Sequence, residues 1–260
     1  MVIFFDIDGT LVDEKTQILP SSTADAIAKL KDRGHIPVLN TGRPYTHVDP
    51  RVRALPFAGC VCAGGAEVSL NGKWLKKDAV SADVVAFLVR RVRQHGLQVM
   101  YEAEGGYYLD GENSAHHPEI ALQSQILRRN GCFIRDVKDG VDSPVVKFCT
   151  FDMPGCDRAA MIADAAPWFD YIDRRGMAEF VLKGNSKALG MELILKELNC
   201  PKEQTMAFGD SGNDLPMLKA AGIGVAMGNG VEEAKAAADF VTKTVMEDGI
   251  AYALKHFGLI

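Results

Sequence analysis

The stretch MVIFFDIDGTLVD, residues 1–13, decides the fold prediction. Its apolar run, residues 2–5, leads directly into DIDGT, so a buried strand is predicted to end in a polar loop. If the alternation of the strand continued past the run, Asp6 and Asp8 would lie on the same side. Two carboxylates so close together repel each other, which requires either a raised pKa or a bound cation.

Strand and helix patterns alternate from this stretch onward and again near the C-terminus. A helix is predicted at residues 21–34, with Ser and Thr as candidate caps, and a strand follows at residues 35–40. The C-terminal patterns are a helix at 186–200, a strand at 205–210, a helix at 214–222, a strand at 223–227 and a helix at 231–238. This alternation predicts an α/β fold with a doubly wound, Rossmann-like parallel sheet.

The middle of the chain has a different pattern. Residues 80–183 form a second series of strands and helices, whereas the polar motifs lie at both ends of the chain. We therefore predict an α+β cap domain, residues 80–183, inserted into a discontinuous catalytic core of residues 1–79 and 184–260.

Composition excludes several classes of function. The 260 residues carry a formal charge of −5, without the basic surface of a nucleic-acid-binding protein or a polybasic membrane-binding segment. No apolar run approaches the roughly 20 residues of a membrane-spanning helix, and the N-terminal run is too short for a signal peptide. The six cysteines show no paired framework, which predicts reduced thiols in a cytoplasmic protein.

Polar residues follow three predicted strands. They are Asp6, Asp8 and Thr10 after the first, Asn40 and Thr41 after the second, and GDSGND, residues 209–214, after a third. In an open parallel sheet ligands bind at the carboxyl ends of the strands, so these groups should share one crevice. Four carboxylates in that crevice need a cation, and oxygen-only donors favour Mg²⁺ over zinc.

The same crevice is suited to a phosphoryl group. The turns at residues 9–10 and 41–42 offer backbone N–H groups to an anion, and Lys187 adds an ammonium at a predicted helix start. Such a combination is typical of phosphoryl transfer. One carboxylate can take the phosphoryl group covalently while a second protonates the leaving oxygen. Asp6 and Asp8 are the candidates for these two roles.

Four segments, in chain order, resemble the motifs of haloacid dehalogenase-like hydrolases. They are DIDGTL (6–11), NTGRP (40–44), the lysine of GNSK (184–187) and GDSGND (209–214). The insertion resembles, in size and pattern, the cap of subclass IIB, the Cof-like phosphatases. The resemblance implies a Mg²⁺-dependent phosphatase, monomeric or homodimeric, that acts on a small-molecule phosphate ester. Sugar phosphates are the first expectation, and phosphorylated cofactors come next.

The resemblance also implies roles for individual residues. Asp6 would be the nucleophile that becomes an aspartyl phosphate, and Asp8 the general acid/base. Asp6, Asp8 through its backbone carbonyl, and Asp210 would hold Mg²⁺, with Asp214 in support, while Thr10 would support the Asp6 loop. The implied phosphate-binding set comprises the N–H groups of Ile7 and Gly42 together with Thr41, Lys187 and Asn213.

Other residues keep two interpretations at this stage. Arg43 is either a substrate contact or the partner of an acid at the sheet edge. His116 and His117, in the cap, are candidate substrate contacts or part of a solvated loop. Where Cof-like proteins often carry Asn-Gly-Ala, this chain has Gly64-Gly65-Ala66, so one amide contact is missing.

Two other functions share parts of this pattern. A phosphotransferase or phosphomutase on sugar phosphates would hold a bisphosphate, and the cap does contain several arginines. Phosphate release without a second sugar would distinguish hydrolysis from transfer. A phospho-aspartate signalling module would also need an acidic Mg²⁺ site, but it needs neither a large cap nor a hydrolytic base such as Asp8.

Overall fold

The computed structural model describes residues 1–111, 117–129, 131–137, 141, 143–174 and 176–260. The chain divides into two compact units. The first, here called the core, contains Met1–Arg43, Val48–Lys77 and Ser186–Ile260. The second, here called the cap, contains Asp78–Asn185 and also the short segment Pro44–His47. This segment lies within residues 1–79, which the sequence assigns to the core.

The core is built on an eight-stranded sheet. Its strands are β1 (Val2–Phe5), β2 (Ile36–Asn40), β3 (Gly59–Cys62), β4 (Glu67–Leu70), β5 (Lys73–Lys77), β12 (Thr205–Gly209), β13 (Ile223–Ala226) and β14 (Phe240–Val241). They lie in the order β14-β13-β12-β1-β2-β3-β4-β5. The pairs from β14 to β3 are parallel, and β4 and β5 extend the sheet as antiparallel strands. The first strand is therefore central, and its carboxyl end lies between those of β12 and β2.

Helices cover both faces of this sheet. They are α1 (Ser21–Asp32), α2 (Pro50–Arg53), α6 (Lys187–Glu197), α7 (Leu215–Ala220), α8 (Glu232–Ala237) and α9 (Gly249–His256). Ile3 and Phe5 point into the cluster that contains α1 and α9, whereas Val2 and Phe4 point into the one that contains α6 and α7. A strand with both sides buried needs a continuous apolar run, which explains the sequence VIFF. The predicted doubly wound α/β core is confirmed.

The predicted start of α1 at residue 21 is confirmed, but the helix lacks the side-chain cap that was expected. Ser21 is the first helical residue, and Pro20 precedes it as the N-cap without a side-chain hydrogen bond. The hydroxyl of Ser22 instead donates to Asp248 Oδ1 at 2.5 Å, a partner 226 residues away. A tertiary contact has replaced the local cap that the composition suggested.

The cap contains a six-stranded sheet of its own. Its strands are β6 (Gln98–Ala103), β7 (Gly106–Leu109), β8 (Ile134–Asp136), β9 (Val145–Phe151), β10 (Phe169–Arg174) and β11 (Met177–Leu182), in the order β10-β11-β9-β6-β7-β8. Its helices are α3 (Ala82–Gln94), α4 (Pro118–Arg129) and α5 (Arg158–Ala165). Residues of α3 and α5 pack on one sheet face and residues of α4 on the other. Within the helices described, none is both long and apolar enough to cross a membrane.

Candidate active site

The loop after β1 turns sharply. The strand ends at Phe5, and the carbonyl of Ile7 accepts hydrogen bonds from the N–H groups of residues 10–12 at 2.9–3.2 Å. The condition for the expected alternation through Asp8 is not met, because β1 ends at Phe5 and a turn follows. Asp6 is buried, 4% exposed, while Asp8 is partly exposed. The two carboxylates consequently meet different partners.

Gly9 brings this loop against the third acidic residue. It has a φ of +77°, and a side-chain carbon added there would lie 2.3 Å from Asp210 Oδ2, so only glycine fits. The hydroxyl of Thr10 donates to Asp210 Oδ1 at 3.3 Å, and its N–H donates to the carbonyl of Ile7 at 3.2 Å, so Thr10 joins the loop that carries Asp6 to Asp210. Asn229, in a turn after β13, donates from Nδ2 to the carbonyl of Gly9 at 2.8 Å. Sequence reasoning missed the role of the Asn229 amide.

Lys187 lies at the centre of a buried ion cluster. It is the first residue of α6, and the side chain of Ser186 caps that helix by accepting from the Leu189 N–H. Its Nζ donates to Asp6 Oδ1 and to Asp214 Oδ1, both at 2.6 Å, and the residue is 3% exposed. One ammonium thus joins the predicted nucleophile to the last acid of GDSGND.

Asp214 is held from two directions. Its Oδ1 accepts from Lys187, and its Oδ2 accepts from the backbone N–H groups of Asp210 and Ser211 at 2.9 and 3.0 Å. Carboxylate oxygens of Asp6, Asp210 and Asp214 all lie within 4.8 Å of one another. Of the four acids expected in one crevice, these three form the cluster.

Burial shifts the pKa values of these groups. Desolvation raises the pKa of Asp6 well above its ordinary value; Lys187 opposes the shift, and Asp214 and Asp8 add to it. Desolvation, reinforced by Asp214, raises the pKa of Asp210 to about 7. Burial alone would lower the pKa of Lys187, but the carboxylates of Asp214 and Asp6 outweigh it and raise that pKa, so the ammonium keeps its charge.

These observations fit a divalent cation. Three clustered carboxylates and one ammonium carry a net charge of −2 when all are ionised (three negative charges less one positive). Burial, and after it the carboxylate of Asp214, raises the pKa of Asp210, so a cation bound beside Asp210 would favour its ionised form. All the clustered donors are carboxylate oxygens, the ligands that Mg²⁺ prefers. The residues present therefore suit Mg²⁺.

Replacing Lys187 with glutamine should destabilise the protein. The change leaves Asp6 and Asp214 facing each other without their shared cation. Removing one partner from a buried ion pair typically costs about 3–5 kcal/mol of unfolding free energy. Urea unfolding of the metal-free protein at pH 8 would measure the loss. Lys196→Gln, at an exposed position on the same helix, is the matched control, and equal stability of the two variants would contradict a structural role for Lys187.

Asp8 pairs with the guanidinium group of Arg43. Nε of Arg43 donates to Asp8 Oδ2 at 2.7 Å and Nη2 donates to Oδ1 at 2.5 Å, a bidentate pair. Of the two interpretations offered for Arg43, the pairing with an acid is therefore observed. Because both oxygens of Asp8 are engaged by Arg43, this arginine controls the orientation of the predicted general acid/base.

The predicted phosphate-binding residues of the second and fourth motifs lie close together. A side-chain carbon added to Gly42 would lie 3.7 Å from Nδ2 of Asn213. The hydroxyl of Ser211 donates to Oδ1 of Asn213 at 2.7 Å, which orients the amide with Nδ2 as a donor. Thr41 is buried, and its Oγ1 accepts from the Arg43 N–H at 3.1 Å. Sequence reasoning missed the positioning role of Ser211, although the contact is local, between residues two apart in the chain.

Ile7 and Asn40 hold parts of the same site in place. The side chain of Ile7 is buried in the core cluster, which anchors the loop that carries Asp6. Asn40, at the end of β2, donates from Nδ2 to the carbonyl of Lys187 at 3.1 Å and thereby ties β2 to the start of α6.

Glycine at position 64, where Cof-like proteins often have asparagine, removes a side-chain amide but keeps a backbone conformation that asparagine also adopts. Gly64 has a φ of 62°, a left-handed conformation that glycine and asparagine both adopt readily. The N–H of Gly64 donates to the carbonyl of Thr41 at 3.1 Å. At the next residue, an added side-chain carbon would lie 2.4 Å from the carbonyl oxygen of Ser186, so Gly65 allows β3 to approach α6. The turn at Gly64 thus has a conformation that an asparagine at this position could adopt, but it lacks the asparagine side-chain amide.

Of the two cap histidines, His117 lies within the described residues and His116 lies outside them. The ring of His117 lies 5.2 Å from that of Phe151, in the part of the cap packed around α4. His117 therefore contributes to packing, and its contact with a substrate stays a prediction.

Comparisons with known proteins agree with this site. The model of the haloacid dehalogenase-like hydrolase family matches residues 3–254. YkrA of Bacillus subtilis (strain 168), whose name assigns it provisionally as a phosphatase, is 32% identical over 266 residues, which cover 100% of this chain and 98% of YkrA. YitU of the same organism, named 5-amino-6-(5-phospho-D-ribitylamino)uracil phosphatase, is 29% identical over 281 residues, which cover 98% and 97% of the two chains.

A solved structure gives the same result over the whole fold. BT4131, described as a sugar phosphatase of haloacid dehalogenase subclass IIB, superposes with a TM-score of 0.81 at 29% identity and covers 100% of this chain and 99% of its own. A doubly wound core whose strand ends gather aspartates around a lysine is suited to phosphoryl transfer, and the family model identifies the class as a hydrolase. This chain belongs to the haloacid dehalogenase-like hydrolases, and to the Cof-like phosphatases among them. The family and enzyme class expected from the motifs are confirmed.

Proposed function

We propose that the protein hydrolyses small phosphorylated metabolites, sugar phosphates above all, in a Mg²⁺-dependent reaction through an aspartyl phosphate on Asp6. The observation that carries the proposal is the buried Asp6 carboxylate, held 2.6 Å from the Lys187 ammonium beside Asp210 and Asp214. An oriented carboxylate at the carboxyl end of a central strand is suited to attack a phosphorus atom.

In the first half of the reaction an oxygen of Asp6 attacks phosphorus, and the bond from phosphorus to the leaving oxygen breaks. Asp8, in its protonated form, transfers its proton to that oxygen, so the alcohol leaves neutral. The bidentate contact of Arg43 supports a positioning role, since it orients the Asp8 carboxylate. Arg43 must release at least one Asp8 oxygen for this step.

In the second half Asp8 acts as a base. Its carboxylate accepts a proton from water while the water oxygen attacks the phosphorus of the aspartyl phosphate. The bond between phosphorus and the Asp6 oxygen breaks, which restores the Asp6 carboxylate and releases inorganic phosphate. Each proton taken from water replaces the one given to the alcohol, so the enzyme returns to its starting state.

Asp6, Asp210 and the backbone carbonyl of Asp8 would hold the metal, with Asp214 in support. When bound, Mg²⁺ supplies positive charge that offsets the negative charge of the phosphoryl oxygens and the carboxylates. Thr41, Asn213, Lys187 and the N–H groups of Ile7 and Gly42 would donate to the phosphoryl oxygens. The orientation of Asn213 by Ser211 supports this assignment.

The relatives and the division of the chain into two units support the proposed substrate class. BT4131 is described as a sugar phosphatase, and the name of YitU gives a substrate with a phosphorylated ribityl chain. The core carries the reacting groups, so we assign selection of the leaving group to the cap. This supports phosphate esters of polyhydroxylated alcohols over other esters.

A phosphate-release screen tests the proposal. The panel comprises hexose and pentose monophosphates, flavin and pyridoxal phosphates, nucleoside monophosphates and a small aryl phosphate, each with Mg²⁺. We expect release from the sugar monophosphates at the highest kcat/KM. Release only in the presence of a second sugar would favour a phosphotransferase. A stable phosphorylated protein without turnover would favour a signalling module.

A further inference from the structure

A cavity of about 390 Å³ lies within the core, at the amino ends of β2 and β3. The acidic cluster lies at the other end of the sheet, where the strands have their carboxyl ends. Ile36 and Asn40 are the two ends of β2, and four steps of about 3.3 Å place them about 13 Å apart. The cavity is therefore separate from the acidic cluster, and the proposed phosphatase reaction gives it no role.

The floor of the cavity is apolar and anchored in the core. Phe57 packs on the cluster that contains α1 and α9, whereas Ile36 and Ala58 pack on the one that contains α6 and α7. The N–H of Ala58 donates to the carbonyl of Pro37 at 2.9 Å, and the N–H of Asn71 donates to the carbonyl of Ala58 at 2.7 Å. These bonds join three segments of chain around the cavity, so its walls are formed before a ligand binds. Small-molecule sites are commonly preformed, mostly apolar and roughly 300–1,000 Å³ in volume.

The rim of the cavity is polar and carries positive charge. Its polar side chains are Lys31, His35 and Asn71, and none of the lining residues, all of which the structure describes, is acidic. In the described part of the chain, neither the ammonium of Lys31 nor the amide of Asn71 has a hydrogen-bond or ion-pair partner. Burial lowers the pKa of His35, and the amino group of Met1 and the guanidinium of Arg33 add to this shift, so two further positive charges lie nearby. The rim thus offers unpaired donors and cations without a carboxylate to neutralise them.

We propose that this cavity is a second ligand site, which binds a small organic anion with a flat apolar body. The ammonium of Lys31 and an N–H of the His35 imidazole are donors for a carboxylate or phosphate oxygen, and the body of the ligand would cover Phe57. The chain as a whole has a formal charge of −5, so a cavity with cations and no acid departs from its average surface. A cationic ligand would be repelled, and an uncharged one would leave Lys31 unpaired. The inference concerns a different site from the proposed phosphatase reaction and does not depend on it.

The test is a titration of the metal-free protein with benzoate, followed through the backbone amide signals in NMR spectra. We expect the signals of His35, Ala58 and Gly72 to shift with a Kd of about 1 mM, because a ligand with one ring has few atoms that can bind. The signals of Asn213 and Asp214 should stay in place, because the clustered carboxylates repel an anion. Benzyl alcohol keeps the ring but lacks the charge, and it should bind at least about fivefold more weakly. Phenylphosphonate, measured in the same way, shows whether a phosphate-like or a carboxylate group binds more tightly.

A pair of lysine variants tests the role of charge at the rim. Lys31→Gln should weaken benzoate binding about fivefold, because it removes the ammonium that pairs with the anion. Lys29→Gln removes the same charge from an exposed position of the same helix, outside the cavity, and should keep the Kd of the wild type. Both changes are at exposed positions, so both proteins should fold, which circular dichroism checks. Equal affinity of the Lys31→Gln protein and the wild type, equal binding of benzyl alcohol and benzoate, or the absence of shifts at His35, Ala58 and Gly72 would each overturn the inference.

Discussion

Replacing Asp6 with asparagine is expected to abolish phosphate release from every ester, with a loss of at least about 10⁴-fold in kcat. The amide keeps the shape of the side chain but lacks the negative charge needed to attack phosphorus. A loss on the aryl phosphate as severe as that on sugar phosphates would show that the reacting centre, and not recognition of the leaving group, has been removed. Acid-quenched enzyme should contain phosphorylated protein only when Asp6 is present.

The control for this change is Asp25→Asn, an exposed aspartate on α1. Its activity should equal that of the wild type. Circular dichroism must show that the Asp6→Asn protein is folded, because the change also removes one of the two carboxylates bound to Lys187. A folded Asp6→Asn protein that works within tenfold of the wild type would refute covalent catalysis at Asp6.

Removing the metal is expected to have the second largest effect. Exhaustive EDTA treatment should lower phosphate release at least about 100-fold, and Mg²⁺ should restore it, because the clustered carboxylates carry excess negative charge. Asp210→Asn should mimic EDTA and should resist rescue by Mg²⁺. Undiminished turnover by the chelated enzyme would show that the cluster works without a cation.

A thermal unfolding experiment tests the same site without an activity measurement. The pKa of Asp210 is about 7 in the folded, metal-free protein, against about 3.9 when unfolded. Between these two values the folded state keeps a proton that the unfolded state has lost. The unfolding free energy should therefore fall as pH rises from about 4 to about 7. The raised pKa of Asp6 contributes with the same sign.

Mg²⁺ should reverse this loss, because it favours the ionised carboxylates. We expect Mg²⁺ to raise the melting temperature of the wild type more at pH 8 than at pH 5, where Asp210 is already protonated. Asp210→Asn should show a smaller dependence on both pH and Mg²⁺. An equal Mg²⁺ shift at both pH values in the wild type would contradict binding at the ionised cluster.

Much of the core was predictable because its signals are local. The run VIFF, followed by a helix pattern and a second strand, predicts a parallel sheet, and the structure has β1 central in one. The start of α1 at residue 21 was predictable, but the absence of a side-chain cap was not, since the hydroxyl of Ser22 binds Asp248 from the far end of the chain. The segment Pro44–His47 likewise follows a core motif in sequence but belongs by its contacts to the cap.

The chemical groups of the site and their order along the chain can be read from the amino-acid sequence: two acids after the first strand, a lysine at a helix start and the acidic motif of residues 209–214. Which cation each acid meets depends on the folded structure. Arg43 pairs with Asp8 and Lys187 with Asp6, across 35 and 181 residues of chain. It also decided the burial that raises the pKa of Asp6 and Asp210. The physical reason is that desolvation and ion pairing depend on distances in space, whereas a sequence pattern reports only distances along the chain.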